Sequence, residues 1–138
     1  MPLDHALRTA YERAVYVVHC SPPVEFRIGE RSGLLEAMMA MNRVACAAFV
    51  SSANTRGVAT PENEHRLADY LLRSQLDGLA YHVFQGEGRD PEGVWTAEPS
   101  VLIMGIPRAE AEALGRRLEQ NAIVFIEKGR APELVVLV

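Results

Sequence analysis

Seven polar residues stand at the ends of predicted helices and strands, where side chains most often form binding sites. The amides of Asn and Gln offer hydrogen-bond donors and acceptors, Arg adds a positive fork, and Glu adds an acceptor or a base. Because ligands of layered α/β folds sit beyond strand ends, these residues predict one small ligand-binding pocket. A helix N-terminus beside it would attract an anion, so the expected ligand is small and polar or anionic. The seven are Ser52, Asn54, Asn63, Arg66, Glu98, Gln120 and Asn121.

The same residues have an alternative role, which is to hold the fold together. Asn63 can satisfy backbone groups at a helix end, and Asn121 can cap the C-terminus of the helix that precedes it. Glu98 can form an ion pair with Arg66 or with Arg89. The sequence leaves the ligand-binding and the structural interpretation both open.

Other kinds of chemistry have little support. The histidines at positions 5, 19, 65 and 82 lack the spacing of metal ligands, and there is no nucleophile elbow. A glycine-rich loop predicted over residues 86–93 carries Glu87, Asp90 and Glu92, which would repel a phosphate. We therefore predict no metal and no other cofactor and name no catalytic residue. Whether the protein is an enzyme stays open.

Composition restricts the class of protein. The chain has 138 residues, 49% of them hydrophobic, and a formal net charge of −4, which fits one folded domain over residues 1–138. All but one of its 14 basic residues are Arg, but they are scattered, so a nucleic-acid-binding surface is not expected. No apolar run approaches the ~20 residues of a membrane span. With two cysteines and no signal-peptide pattern, the sequence predicts a cytoplasmic protein.

Hydrophobic periodicity and turn residues predict the element order αββαβαββαββ. Ser32 and Thr60 are predicted N-caps, and Gly78 is predicted to end a helix. The fold class is α+β (layered α/β), with a mixed sheet of about five to seven strands and three to four helices packed on it. The last run, residues 134–138, would form an uncovered edge strand, so a homodimer and a monomer are both left open. Helices are predicted over residues 3–13, 32–42, 61–77 and from 107, and strands over 14–19, 24–28, 44–50, 79–84, 101–106, 122–126 and 133–138.

Four groups of residues, in this order and spacing, match a family pattern. A serine-rich strand end with an Asn precedes a helix that begins Glu-Asn-x-x-Arg. A segment Gly-x-Asp-Pro-x-Gly-x-Trp-x-x-Glu and a helix that ends Gln-Asn-Ala follow. The matching residues are Ser51, Ser52 and Asn54; Glu62, Asn63 and Arg66; Gly88, Asp90, Pro91, Gly93, Trp95 and Glu98; and Gln120, Asn121 and Ala122. On these residues the chain resembles, over about residues 10–138, a bacterial family, the domain-of-unknown-function family 3293.

The resemblance implies an uncharacterised bacterial protein and brings no known activity, substrate or cofactor. The family often has Pro after the Asn and Gly before the Gln, where this chain has Thr55 and Glu119. We interpret the chain as a non-catalytic small-ligand-binding or interaction module of the cytoplasm. The alternative is an enzyme or a ligand-sensing regulator that acts through the polar pocket. Neither a nucleic acid nor a membrane is an expected partner.

Overall fold

The helices and strands follow one another in the order that the sequence predicts. The computed structural model describes residues 3–52, 60–94 and 96–138, so Asn54, Thr55 and Trp95 lie outside the described residues. The helices are α1 (His5–Arg13), α2 (Gly33–Met41), α3 (Pro61–Leu76) and α4 (Arg108–Arg117). The strands are β1 (Val15–Val18), β2 (Val24–Phe26), β3 (Cys46–Ser51), β4 (His82–Arg89), β5 (Glu98–Met104), β6 (Ala122–Glu127) and β7 (Glu133–Val136). None of the helices in the described ranges has the length and hydropathy of a transmembrane segment.

The strands form one seven-stranded sheet in the order β2-β1-β4-β5-β3-β6-β7. The α+β class is confirmed, but the expectation of a mixed sheet is wrong, since every pairing of neighbouring strands is antiparallel. The expectation came from apolar runs such as β3 and β5, which are typical of strands covered on both faces. Helices do cover both faces of the sheet. Two-sided burial therefore explains those runs, and it does not determine strand direction.

The two faces of the sheet carry separate hydrophobic cores. One face packs against α2 through Leu35, and we call it the α2 face. The opposite face packs against Leu67 of α3 and Leu114 of α4, and we call it the α3/α4 face. Successive residues of a strand alternate between faces, so Phe49 belongs to the first core and Val50 to the second. This alternation decides which polar residues of the strands can meet.

Strand β4 is longer than the sequence predicts. It runs through Arg89 and includes Gly86 and Gly88, which were expected in a loop. A side chain at Gly86 would put a Cβ atom 2.3 Å from the Val17 carbonyl oxygen and 2.9 Å from the ring of Phe49. The glycine thus serves close packing inside a strand and does not mark a turn. The need for glycine here comes partly from contact with Phe49, which is 37 positions away in the chain. The residues next to Gly86 in the sequence therefore do not reveal it.

The predicted helix starts are confirmed. The Ser32 hydroxyl accepts a hydrogen bond from the Leu35 amide at 3.2 Å, and the Thr60 hydroxyl accepts one from the Asn63 amide at 3.1 Å. Both bonds satisfy amides of a first helical turn, which have no partner inside the helix. With Pro61 at the first helical position, α3 begins where the sequence places it.

Helices α3 and α4 end in the same backbone motif with different residues. Each turns through a left-handed residue, which is Gly78 after α3 (φ 74°) and Glu119 after α4 (φ 57°). The next amides, of Leu79 and Gln120, then bond back to carbonyls five residues earlier, as in a Schellman motif. Gly78 was predicted to end its helix and does so. Glu119 adopts a conformation that glycine accommodates with less strain.

Candidate functional site

The carboxyl end of α4 receives hydrogen bonds from three of the predicted pocket residues. Asn63 Nδ2 and Gln120 Nε2 donate to the Leu118 carbonyl at 3.3 and 3.2 Å, and Arg66 Nη1 donates to the Arg117 carbonyl at 2.9 Å. The last carbonyls of a helix lack partners inside the helix, so these bonds satisfy acceptors of the fold. The contacts of Asn63 and Arg66 are those of the structural alternative.

Arg66 is directed to the helix end and not to a pocket. Its guanidinium also lies 3.4 Å from the Glu119 carboxylate, and both side chains are largely exposed. A cation beside a helix C-terminus is favoured by the partial negative charge there, whereas an exposed ion pair adds little stability. The Arg66 guanidinium, which was expected to bind an anionic ligand, is therefore already paired with the end of α4 and with Glu119.

A cavity opens on the α2 face because a row of paired residues has a glycine in its middle. Gly88 of β4 pairs with Tyr16 of β1 on one side and with Glu98 of β5 on the other. Without a side chain at Gly88, space remains between the Tyr16 ring and Glu98. The neighbouring pair, Ser51 of β3 and Ser100 of β5, adds two small side chains. We call this space the Glu98 cavity, and its volume is about 30 Å³. Its polar lining residues are Tyr11, Tyr16, Ser51, Glu98, Ser100 and Gln120.

The Glu98 side chain is half-buried at this cavity, and burial raises the pKa of its carboxyl. Neither of the ion pairs considered from the sequence forms. Arg66 lies beside Glu119, and Arg89 Nε donates to Glu87 Oε2 at 2.8 Å. Within the described residues, no side chain forms a hydrogen bond with the Glu98 carboxylate. Its oxygens are not among the fully buried side-chain atoms that lack a partner, so the carboxyl keeps some contact with solvent.

Two tyrosines that the sequence analysis did not select complete the cavity. The Tyr16 hydroxyl donates to the Tyr11 carbonyl at 2.6 Å, which holds α1 against β1. Burial raises the pKa of both tyrosines, while the nearby Asn121 side chain acts to lower that of Tyr11. Asn121 is thus close to Tyr11, but it is not among the described residues that line the cavity. The available signal was the position of Tyr11 on the apolar stripe of α1, with a polar tip to place.

Ser52 is not part of the Glu98 cavity. Its backbone amide and its hydroxyl both donate to the Pro99 carbonyl, at 3.0 and 3.3 Å. Ser52 therefore ties the end of β3 to β5, and its side chain borders the opposite face of the sheet. The prediction for Asn54 falls outside the described residues. Of the seven predicted residues, the structure places Glu98 and Gln120 in the lining of this one cavity.

A second concavity lies on the α3/α4 face, between α3 and strands β4 and β5. We call it the α3 groove. Its volume is about 650 Å³, far larger than that of the Glu98 cavity. Apolar groups of the helix and the sheet contribute more of its surface than polar groups do. Its lining includes Leu67, Ala68, Leu71, Val83, Val101, His19 and Glu87.

A small charged cluster stands at the rim of the α3 groove. His19 Nε2 lies 2.8 Å from Glu87 Oε1, and Arg89 Nε lies 2.8 Å from Glu87 Oε2. The Arg89 guanidinium is the main reason that the pKa of Glu87 is lowered. The three side chains pair with one another while they remain partly exposed to water. We therefore interpret the cluster as a stabilised network of surface side chains.

Comparison with protein families decides what the chain is related to. The model of a family described as a protein of unknown function, DUF3293, matches residues 50–123. This chain belongs to the DUF3293 family. The match spans more than half of the chain, from the end of β3 to the start of β6. Curated proteins and solved structures gave no match.

The DUF3293 match covers only part of the Glu98 cavity. Ser51, Glu98, Ser100 and Gln120 fall inside the matched residues 50–123, whereas Tyr11 and Tyr16 precede them. Glu119, which lies within the matched residues, has a left-handed backbone conformation and carries the strain that glycine would avoid there.

Proposed function

We propose that this DUF3293 domain binds a small polar ligand at the Glu98 cavity without catalysing a reaction on it. One observation carries the proposal, namely a half-buried carboxyl at a cavity with no hydrogen-bond partner among the described residues. Partial burial makes the hydration of the ionised carboxyl less favourable, which is why its pKa is raised. A bound ligand that donates a hydrogen bond to the carboxyl would compensate for the lost hydration.

The size of the cavity limits what it takes up. A volume of about 30 Å³ is room for one or two water molecules, given that a single water needs roughly 10–15 Å³ by the same measure. An end group of a ligand fits this space, and a whole nucleotide or sugar does not. The remainder of the ligand would stay outside the cavity. The cavity would therefore recognise the ligand by its end group.

The charge of the lining disfavours an anion. Among the described residues that line the cavity, Glu98 is the one charged side chain, and none is basic. Arg66, which supported an anionic ligand at the sequence level, donates to the end of α4. Of the two kinds of ligand expected from the sequence, polar and anionic, we therefore retain the polar one.

The experiment is a thermal-shift and NMR titration with small amines, alcohols, amides and carboxylates, on the full chain and on two variants. Glu98→Gln keeps the shape of the side chain but removes its charge. Glu119→Gln removes a charge from an exposed side chain away from the cavity and is the matched control. A ligand that binds the native state but not the unfolded state raises the melting temperature. We expect the shift in wild type and in the control and its loss in Glu98→Gln; equal shifts in all three proteins would exclude the Glu98 cavity as the site.

The same variant tests the burial of Glu98 without any ligand. Burial raises the folded-state pKa, so the ionised carboxyl destabilises the fold as the pH rises from the unfolded value of about 4.3 through the folded one. Glu98→Gln lacks this penalty. We expect the variant to be the more stable protein above that range, and the difference to disappear near pH 4, as measured by urea unfolding across pH.

An enzyme is the second candidate, because burial raises the pKa of the Glu98 carboxyl and shifts of this kind are common in catalytic acids and bases. The Tyr11 hydroxyl beside it would orient a substrate group. If this alternative holds, Glu98→Gln retains ligand binding and loses turnover. Loss of binding itself supports the non-catalytic proposal.

An interaction role is supported by the free edge of β7. Leu137 N–H donates to the Asn121 carbonyl, so the backbone groups of Val136 point away from β6 along the sheet edge. Residues 134–138 carry no charged side chain or proline that would block pairing.

We propose antiparallel pairing of β7 with β7 of a second copy of the chain. Light scattering should then give a dimer for wild type and a monomer for Val136→Lys; a wild-type monomer at high concentration rejects it.

We further propose a cytoplasmic location. Cys20 and Cys46 are both free thiols, which fits a reducing compartment. Fractionation of the producing cell, with the protein found outside the cytoplasmic fraction, would contradict this.

A further inference from the structure

We propose that the group bound in the Glu98 cavity is a primary ammonium, the end of an alkyl amine. This inference rests on the proposed ligand-binding function and adds the chemical class of the ligand. It follows from which atoms of the lining can accept a hydrogen bond, from the charge and the aromatic walls, and from the space available.

Two hydroxyls of the cavity donate their protons to backbone carbonyls of the protein. Tyr16 donates to the Tyr11 carbonyl at 2.6 Å, and Ser100 donates to the Glu98 carbonyl at 3.0 Å. A hydroxyl has one proton and two lone pairs, so once the proton is donated the oxygen can only accept. The hydroxyls of Tyr16 and Ser100 are therefore acceptors and not donors toward a ligand.

The Glu98 carboxylate adds further acceptors and a negative charge. No basic residue among the described lining neutralises it. The negative charge of this carboxylate is complementary to a cation, and an ammonium has three donors and no acceptor. A carboxylate or phosphate in the same place would be repelled by Glu98.

Aromatic rings form part of the wall. Tyr16 and Phe49 both line the cavity and pack edge to face, with ring centroids 5.5 Å apart. A ring face turned toward a bound ammonium would attract it, most strongly where water is excluded.

The volume separates a primary amine from bulkier cations. About 30 Å³ accepts an ammonium and the methylene next to it, on the scale of one or two waters. A quaternary ammonium carries its methyl groups around the charge and also lacks the N–H donors. We expect it to bind at least tenfold more weakly than a primary amine.

The test uses propylamine as the probe, with 1-propanol, propionate and tetramethylammonium as matched comparisons of charge and shape. Binding is followed by calorimetry and by the NMR signals of Tyr11 and Tyr16. We expect saturable binding of propylamine, at least tenfold weaker binding by Glu98→Gln, and unchanged binding by Glu119→Gln.

The pH dependence provides an independent readout. Affinity for propylamine should rise with pH as Glu98 ionises, remain level, and fall again near pH 10, where alkyl amines of the lysine type lose their proton. The titratable groups facing Glu98 are Tyr11 on α1 and Tyr16 on β1, and burial raises the pKa of each, which keeps them neutral over this range.

The outcomes separate the two levels of the proposal. If propanol or propionate binds with the same dependence on Glu98, the cavity binds ligands and the assignment of an ammonium is overturned. If no probe shifts the tyrosine signals, the proposed function itself fails. Tighter binding of tetramethylammonium than of propylamine would contradict the argument from hydrogen-bond donors and volume.

Discussion

Helices α3 and α4 cover the same face of the sheet, but they pack on it to different degrees. Ala111 and Leu114 of α4 are 0% and 1% exposed. On α3, Leu72 and Leu76 are 54% and 78% exposed, and the α3 groove separates part of the helix from the strands. A shared sheet face does not impose equal burial. The side chains at each contact decide how close a helix comes.

Glycine explains the close approach of α4. A Cβ atom at Gly115 would lie 2.5 Å from Leu137 Cδ1 and 2.8 Å from Ile123 Cγ2, so the helix backbone lies directly on the side chains of the sheet. Helix α3 has no glycine within Pro61–Leu76 and meets the sheet through Leu67 and Tyr70. The larger side chains hold its axis away and leave the groove beneath it.

The largest expected effect is a difference between two leucines. Leu114→Ala on α4 should lower the free energy of unfolding by about 2–5 kcal/mol, because it leaves a cavity in a closed core. Leu76→Ala on α3 removes an exposed side chain and should change it by less than about 0.5 kcal/mol. Urea unfolding measures both, and similar losses would mean that α3 is as well packed as α4.

A second comparison enlarges a side chain on each helix. Gly115→Ala forces a methyl group into the contact with Ile123 and Leu137 and should cost about 1–3 kcal/mol. Ala68→Leu places a much larger group into the α3 groove, where there is room for it, and should be tolerated within about 0.5 kcal/mol. Thermal unfolding of the pair checks this, and a marked loss for Ala68→Leu would show that the groove is closed in solution.

The link between the helices should matter less than either packing contact. Asn63→Ala removes a buried hydrogen bond to the Leu118 carbonyl, which keeps its bond from Gln120. A loss of about 1 kcal/mol is expected for one such bond. Hydrogen exchange should show the loss at the start of α3. Faster exchange through α4 instead would mean that α3 supports its neighbour.

The smallest effects should be of opposite sign at the two helix ends. Glu119→Gly relieves a left-handed backbone after α4 and should stabilise the protein by up to about 1 kcal/mol. Gly78→Ala introduces that strain after α3 and should destabilise it by a similar amount, about 1 kcal/mol. The two melting temperatures should move apart, and a destabilised Glu119→Gly would show that the exposed Arg66–Glu119 pair outweighs the strain.

The candidate site shows where reasoning from the sequence stopped. Glu98 and Gln120 were selected as polar residues at element ends, and both line one cavity. Asn63 and Arg66 were selected on the same basis, yet they bond to the end of α4 and line no part of that cavity within the described residues. Both groups are polar side chains at the ends of elements. What separates them is the neighbouring element that each one meets.

The sequence by itself determined the order of the elements and the starts of α2 and α3, because capping by Ser32 and Thr60 acts within three residues. Only the tertiary structure decided that the strands pair antiparallel and that β4 continues through Gly86. It alone aligned Tyr16, Gly88 and Glu98 in one row to form the cavity. These features arise from contacts between distant segments, whose partners no local pattern of residue types specifies.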